Sequence, residues 1–258
     1  MTKVQDVVRV IEQFAPPMLA EDWDNVGLLV GDPSRTVSKV LVALDMDENV
    51  AKEAADLKVD MIVTHHPMMF SPINTVTTQT MDGRILLSLL RHNIALCSAH
   101  TNLDCVAGGL NDYLANLYQL QSIKPLLKCP TDETLGLMRV GNLKEEMTVS
   151  DLADLIACKL QCKSLQFTGN PKRLVRRVAV CSGGGGSFIK QEVAQNADVI
   201  ITGDIKYAVA KEAEAMGLSI IVAGHYETEI FAMDIFAHIL KDLGIEIIKS
   251  VKNKNIFN

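Results

Sequence analysis

Two adjacent histidines, His65 and His66, end a short apolar run in the stretch 60–70, DMIVTHHPMMF, and Pro67 follows them. Met61, Ile62 and Val63 read as a buried strand, because the run is too short for a helix and rich in β-branched residues. The pair then sits at a strand's carboxyl end, the edge where ligands bind in an open α/β sheet. Successive residues on extended chain point to opposite sides. His65 and His66 are therefore expected to address two different partners, for example two metal ions.

Of six histidines, His65, His66, His100 and His225 end predicted strands, whereas His92 and His238 lie on helical patterns and read as surface or satisfied core residues. One strand-end histidine is more often a hydrogen-bonded structural residue than a ligand. Four at equivalent edges favour a metal site, and two of them carry a carboxylate four residues on: His100 with Asp104, His225 with Glu229. On the first turn of a helix, i and i+4 share a face, so each pair could hold one ion. A mixed imidazole and carboxylate set suits Zn²⁺, Mn²⁺ or Fe²⁺ better than Ca²⁺ or Mg²⁺, which take oxygen shells. A second candidate is the turn CSGGGGS at 181–187, whose glycines let backbone N–H groups converge on an anion. Its spacing matches neither the P-loop nor G-x-G-x-x-G, and the alternative is a tight turn.

Strands and helices must carry these groups. A helix is expected from the spacing of Val4, Val7, Val8, Ile11 and Phe14, and it is followed by the box WDNVGLLVG at 23–31, which on composition reads as a turn leading to a short strand rather than as a loop bordering the site. Strand 40–44, helix 49–57 and the strand before His65 form a βαβ unit, so those strands should be parallel. Helices are expected at 85–90 and 110–118, and a strand at 94–98. The stretch 119–134 has two prolines, two lysines and no period, and reads as a lobe boundary. Beyond it come strands at 136–141, 175–180, 199–201 and 220–223, a helix at 150–160 with Ser150 as N-cap, and a last helix carrying Ile230, Met233, Ile235 and Ile239. The halves resemble each other: 60–70 lays over 198–208, 40–54 over 178–194, and 93–104 over 218–229. Two similar α/β lobes are expected, residues 1–125 plus 220–258 and residues 126–219, with the polar residues meeting at their interface.

The chain of 258 residues is 48% hydrophobic and only 5% aromatic, so its core is aliphatic. A net charge of −6 without a Lys/Arg-rich run argues against nucleic-acid binding, which needs a basic surface. No run reaches the ~20 apolar residues of a membrane span, and the N-terminus lacks the pattern of a signal peptide. A cytoplasmic protein is expected. The six cysteines are scattered; Cys158 and Cys162 lack a second pair at zinc-finger spacing and read as free thiols.

VTHHP at 63–67, WDNVGLLVG at 23–31, AHTNLD at 99–104, SGGG at 182–185, TGDIK at 202–206 and GHYETE at 224–229 together resemble the Nif-three-like family, whose members are often labelled GTP cyclohydrolase type 2 homologs. The resemblance covers nearly the whole chain. It implies two similar, intertwined three-layer α/β/α domains, the short form without an inserted central domain, assembled as a ring-shaped homohexamer. It implies a dinuclear centre held by His65, His66, Asp104, His225 and Glu229, with Glu229 bridging and His100 a further ligand or a support to one. Metal-assisted hydrolysis of a nucleotide or phosphoester-like substrate would follow, with Gly183, Gly184, Gly185 or Lys206 holding an anionic group. A non-enzymatic metal-holding or adaptor role is the alternative. Tyr207 departs from the family pattern, in which histidine commonly follows TG-x-IK.

Overall fold

The computed structural model describes residues 1–129, 132–163 and 165–256. In chain order the elements are α1 (Val4–Phe14), β1 (Gly27–Val30), β2 (Lys39–Ala43), α2 (Glu48–Leu57), β3 (Met61–Thr64), α3 (Met81–His92), β4 (Ala95–Ser98), α4 (Thr101–Cys105), α5 (Leu110–Leu117), β5 (Gln121–Cys129), β6 (Asp132–Thr148), α6 (Val149–Leu160), β7 (Gln166–Phe167), β8 (Leu174–Cys181), α7 (Gln191–Asn196), β9 (Val199–Thr202), α8 (Tyr207–Ala215), β10 (Ser219–Val222), α9 (His225–Glu229), α10 (Ala232–Leu240) and β11 (Glu246–Lys249). They form two compact units. One is Met1–Leu103 with the chain from Ala232 onward; the other is Asp104–Phe231.

The first unit is built on a sheet of order β1-β4-β3-β2-β11, parallel except for β1. Its central strands are apolar on both faces, as a sheet covered on both sides requires. Leu41, Ala43, Ile62 and Leu96 pack against Val50 and Ala54 of α2 and Ile85 and Leu89 of α3. The alternate residues Val40, Val42, Met61 and Val63 are equally buried, on the face where α10 packs against β2 and α1 against α10. Asp47 and Thr80 start α2 and α3 by accepting from Val50 N and Gly83 N.

The second unit has a sheet of order β5-β6-β8-β9-β10-β7, in which β8, β9 and β10 are parallel. Val178, Val180, Val199 and Ile201 face α5 and α6, while Ala179, Cys181, Ile200 and Ile220 face α7 and α8. Both units are thus three-layer α/β/α structures. The internal repeat is visible in the ladders: β1-β4-β3-β2 of the first sheet corresponds to β7-β10-β9-β8 of the second, with the first strand of each set antiparallel. One hydrogen-bonded clamp recurs at the matching place. Asp60 Oδ2 accepts from Ser38 N and Lys39 N, and Asp198 Oδ2 accepts from Arg176 N and Arg177 N. The third strands match one residue out of step with the sequence overlay. Ala99 N bonds Thr64 O and Ala223 N bonds Thr202 O, so the structure pairs position 99 with 223 rather than with 224.

Three expectations need correction. The stretch 119–134 is not a linker: Gln121–Cys129 is strand β5, antiparallel to β6. As the outermost strand it keeps little apolar period and tolerates Pro125, Lys124 and Lys128; residues 130 and 131 lie outside the described residues. Strand β10 bonds to β9, so 220–231 belongs to the second unit and not with the chain's end, and 104–125 belongs to that unit as well. Thr148, not Ser150, caps α6, by accepting from Asp151 N.

Arg139, on β6, is the largest fully buried side chain, 2% exposed. Its guanidinium meets Asp112 at 2.5 and 3.1 Å and donates to the carbonyls of Cys105 at 3.2 Å and Val106 at 2.8 Å. It therefore fixes the chain immediately after Asp104. Arg139→Met leaves Asp112 without its cationic partner and takes a donor from those carbonyls, and is expected to lower unfolding free energy by about 3 kcal/mol. Arg139→Met with Asp112→Leu should recover part of that loss in urea denaturation; no recovery would mean that the pair is not the source.

Candidate metal-binding residues

In the first unit three imidazoles come together. Ring centroids are 5.1 Å apart for His65–His66, 5.1 Å for His65–His100 and 5.3 Å for His66–His100. One nitrogen from each lies within 4.8 Å of the other two, so the group could hold a metal ion. His65 and His66 converge instead of pointing apart. Strand β3 ends at Thr64 and the chain bends at 65–66, so strand alternation no longer governs the two rings.

Each ring is held through Nδ1 by an oxygen that can only accept. His65 Nδ1 lies 3.0 Å from Ala99 O, His66 Nδ1 2.7 Å from Asp45 Oδ1, and His100 Nδ1 3.0 Å from Asp24 Oδ1. Nδ1 must carry the proton in all three, which makes Nε2 the coordinating nitrogen of a neutral ring. Carbonyl and carboxylate partners of this kind orient metal-bound histidines and raise their basicity. Burial works against the Asp24 charge, yet hydrogen bonds from His100 and Thr101 outweigh it and hold the carboxyl down at about 2. The acid therefore stays an acceptor at neutral pH.

The second unit has its own cluster of one histidine and several carboxylates. His225 opens α9 and lies between two of them, Nδ1 at 2.6 Å from Asp204 Oδ2 and Nε2 at 3.0 Å from Glu229 Oε2. The bond to Glu229 raises its pKa most; burial opposes, Asp204 adds, and the result is about 9. Glu229 is 3% exposed and Asp104 6%. Asp104 accepts from Ser182 Oγ at 3.0 Å, and Asn111 Oδ1 accepts from Ser182 N at 2.7 Å. Ser182 and Gly183 thus place consecutive residues of the glycine turn against Asp104 and Glu229.

That turn serves packing. A Cβ on Gly183, at φ +55°, would lie 1.9 Å from Glu229 Oε1. The amides of Gly183 and Gly185 donate within the protein, to Thr228 Oγ1 and Thr202 Oγ1, so neither is aimed at an anion. Gly184 and Lys206 are exposed. Of the other histidines, His92 is exposed and bonded to Ser88 O, and His238 is exposed. Asp24, Asp45 and Asp204 are the site residues that sequence reasoning did not single out. Each follows or precedes an apolar strand by one to three residues, but an aspartate there also reads as an ordinary turn residue. Tyr207 is 80% exposed.

The family model described as Duf34/NIF3 (NGG1p interacting factor 3) matches residues 2–256. A relative from Clostridium perfringens (strain 13 / Type A), named GTP cyclohydrolase 1 type 2 homolog, is 40% identical over 227 residues, 88% of this chain and 87% of its own. One of the same name from Lactococcus lactis is 35% identical over 99% of this chain and 98% of its own. Among solved structures, the Staphylococcus aureus hypothetical protein SA1388 superposes with a TM-score of 0.90 at 28% identity, covering 99% of this chain and 98% of that one. Reduced HcgD from Methanocaldococcus jannaschii does so with 0.80 at 34% identity, covering 96% and 97%.

Gly183→Ala tests how closely the turn meets Glu229. Gly244, at φ +66° with nothing within 4 Å of its Cβ, is the control. Both replacements carry backbone strain of about 1 kcal/mol, and only the first drives a methyl into a carboxylate. Gly183→Ala should cost about 2 kcal/mol more than Gly244→Ala in urea denaturation; equal costs would show that the Glu229 contact is slack.

Proposed function

The chain belongs to the Duf34/NIF3 family, and from that premise we propose that it holds two divalent metal ions and hydrolyses an anionic nucleotide or phosphoester-like substrate. One observation carries the reading: three imidazoles with both tautomer and orientation set by acceptors on Nδ1. That is what a metal site needs before the ion arrives. His65, His66, Asp104, His225 and Glu229 are the residues that would hold the ions, with His100 as a further donor or a support to His65 and His66. Zn²⁺, Fe²⁺ and Mn²⁺ suit this donor set.

Bound there, such ions would supply Lewis acidity to an anionic substrate. The chain's own residues do the rest. Asp45, Asp24 and the Ala99 carbonyl keep the first three rings in the Nδ1-protonated form. Asp204 orients His225 toward Glu229. His65, fully buried, keeps bulk water from one side of the cluster. Exposed Gly184 and Lys206 are the proposed contacts for the anionic group. The names of the curated relatives put GTP among the substrates to try.

A second reading, a non-enzymatic metal-holding or metal-delivering protein, draws on the same residues. Apart from Lys206, proposed for the anionic group, every titratable group named above is a proposed ligand or anchors one. The proposed assembly is a homohexameric ring, which a solution mass six times that of the 28.2 kDa chain would support.

His65→Ala should lose bound metal, read by elemental analysis of the purified chain; a fully loaded variant would end the assignment. Wild-type protein screened with GTP and phosphoesters should turn over at least one substrate, and chelation followed by re-addition of metal should abolish and restore that turnover. Tightly loaded protein that turns over nothing in the screen would favour the metal-holding reading.

A further inference from the structure

Two large aromatic rings stand in solvent beside the imidazole cluster. Trp23 is 56% exposed and Phe70 50%, although burial of such rings is strongly favourable. Their centroids are 6.3 Å apart with planes inclined at 33°. His100 stands edge-on to both, 5.9 Å from Trp23 and 5.7 Å from Phe70.

The chain beneath them is fixed. Asp24, next to Trp23, accepts from Thr101 N at 3.1 Å and Thr101 Oγ1 at 2.5 Å, besides meeting His100. Asn25 Nδ2 donates to Met69 O at 2.6 Å, which ties the segment of Trp23 to the residue before Phe70. Exposed rings on mutually tied segments present contact area at low entropic cost. The 6.3 Å separation leaves no room for a third ring between them, since two carbon contacts need ~7–8 Å. A ligand ring must lie across the open faces.

We propose that Trp23 and Phe70 form a stacking platform for a planar heteroaromatic ring, so that the substrate of the imidazole cluster is a nucleotide held by its base. The proposal rests on the metal-centre reading for its chemistry but not for the stacking itself. Nothing in the first three imidazoles recognises a base, and the platform is what lies against His100.

Trp23 is the only tryptophan, so its emission reports the platform directly. The full chain as purified is titrated with guanosine monophosphate and, as the ringless control, with ribose phosphate. Saturable quenching by the first and none by the second is expected. In calorimetry Trp23→Ala should weaken guanosine monophosphate binding about tenfold or more, and Trp23→Phe should restore most of it. Both variants should keep wild-type metal content.

Absence of quenching, equal quenching by the ringless control, or unchanged affinity in Trp23→Ala would overturn the proposal. So would loss of metal in Trp23→Ala, because the ring would then only support His100. Blue-shifted emission closed to acrylamide would overturn it as well, by showing that the ring is covered by another copy of the chain. Failure of the metal-centre reading shows up separately, as wild-type protein without metal, and the quench is then read on the metal-free chain.

Discussion

The imidazole nitrogen that does not face the cluster decides the rest of the structure. A histidine ligates through an unprotonated nitrogen, and in solution either nitrogen carries the proton. Here the choice is made by a backbone carbonyl and two aspartates, each on Nδ1. Those acceptors must sit at one edge of the sheet at fixed heights: Asp45 and Ala99 just past the carboxyl ends of β2 and β4, and Asp24 just before the amino end of antiparallel β1. Parallel strands in register deliver that: Ala43 pairs with Thr64, and Thr64 with Ser98. Asp45, His65, His66 and His100 then lie one or two residues past three adjacent strand ends. The apolar core on both faces of that sheet is what holds the ends level.

The repeat shows how one scaffold is spent in two ways. Where the first unit carries His65 and His66, the second carries Gly203 and Asp204. A Cβ on Gly203 would meet Gly183 O at 2.7 Å and the His225 Cα at 2.8 Å. The position that gives an imidazole in one unit thus gives close backbone approach in the other. Asp204, in the place of His66, supports a histidine instead of being one. The extra residue before His225 is absorbed at Gly224, whose φ of +89° an L side chain rarely adopts. That step moves His225 onto the first turn of α9, where Glu229 lies one turn on. His100 precedes α4 and turns to Asp24.

Much of this was legible before any coordinates. Strands β2, β3, β4, β8, β9 and β10 announce themselves as short β-branched runs, because sheets covered on both faces leave little else for a strand to be. Helices α2, α3, α5 and α6 follow from their apolar period. The four strand-end histidines and the two carboxylates at i+4 were visible as types at edges. What stayed hidden had no periodic signal. Edge strand β5 is polar on its open side, and β7 is two residues long. Asp24, Asp45 and Arg139 act through partners 76, 21 and 27 residues away, which no local pattern encodes. The convergence of His65 and His66 depends on where a strand stops, and strand ends are the least certain feature of a sequence reading.

Charge gives the last constraint. Glu229 and Asp104 are buried carboxylates on either side of the Ser182–Gly183 backbone, and Cys181 is pushed well above its ordinary thiol range by burial first and by these two acids next. Buried anions require compensation. The chain offers hydrogen bonds to one and a proton to the other: Ser182 donates to Asp104, and the His225 imidazolium meets Glu229. That proton occupies Nε2, the atom that a metal ion would need. A divalent cation on the same oxygen and nitrogen would replace one positive charge with two, in a place where negative charge has already been desolvated. The physical cost of assembling the acids is met by folding, and the cation would collect the benefit on arrival.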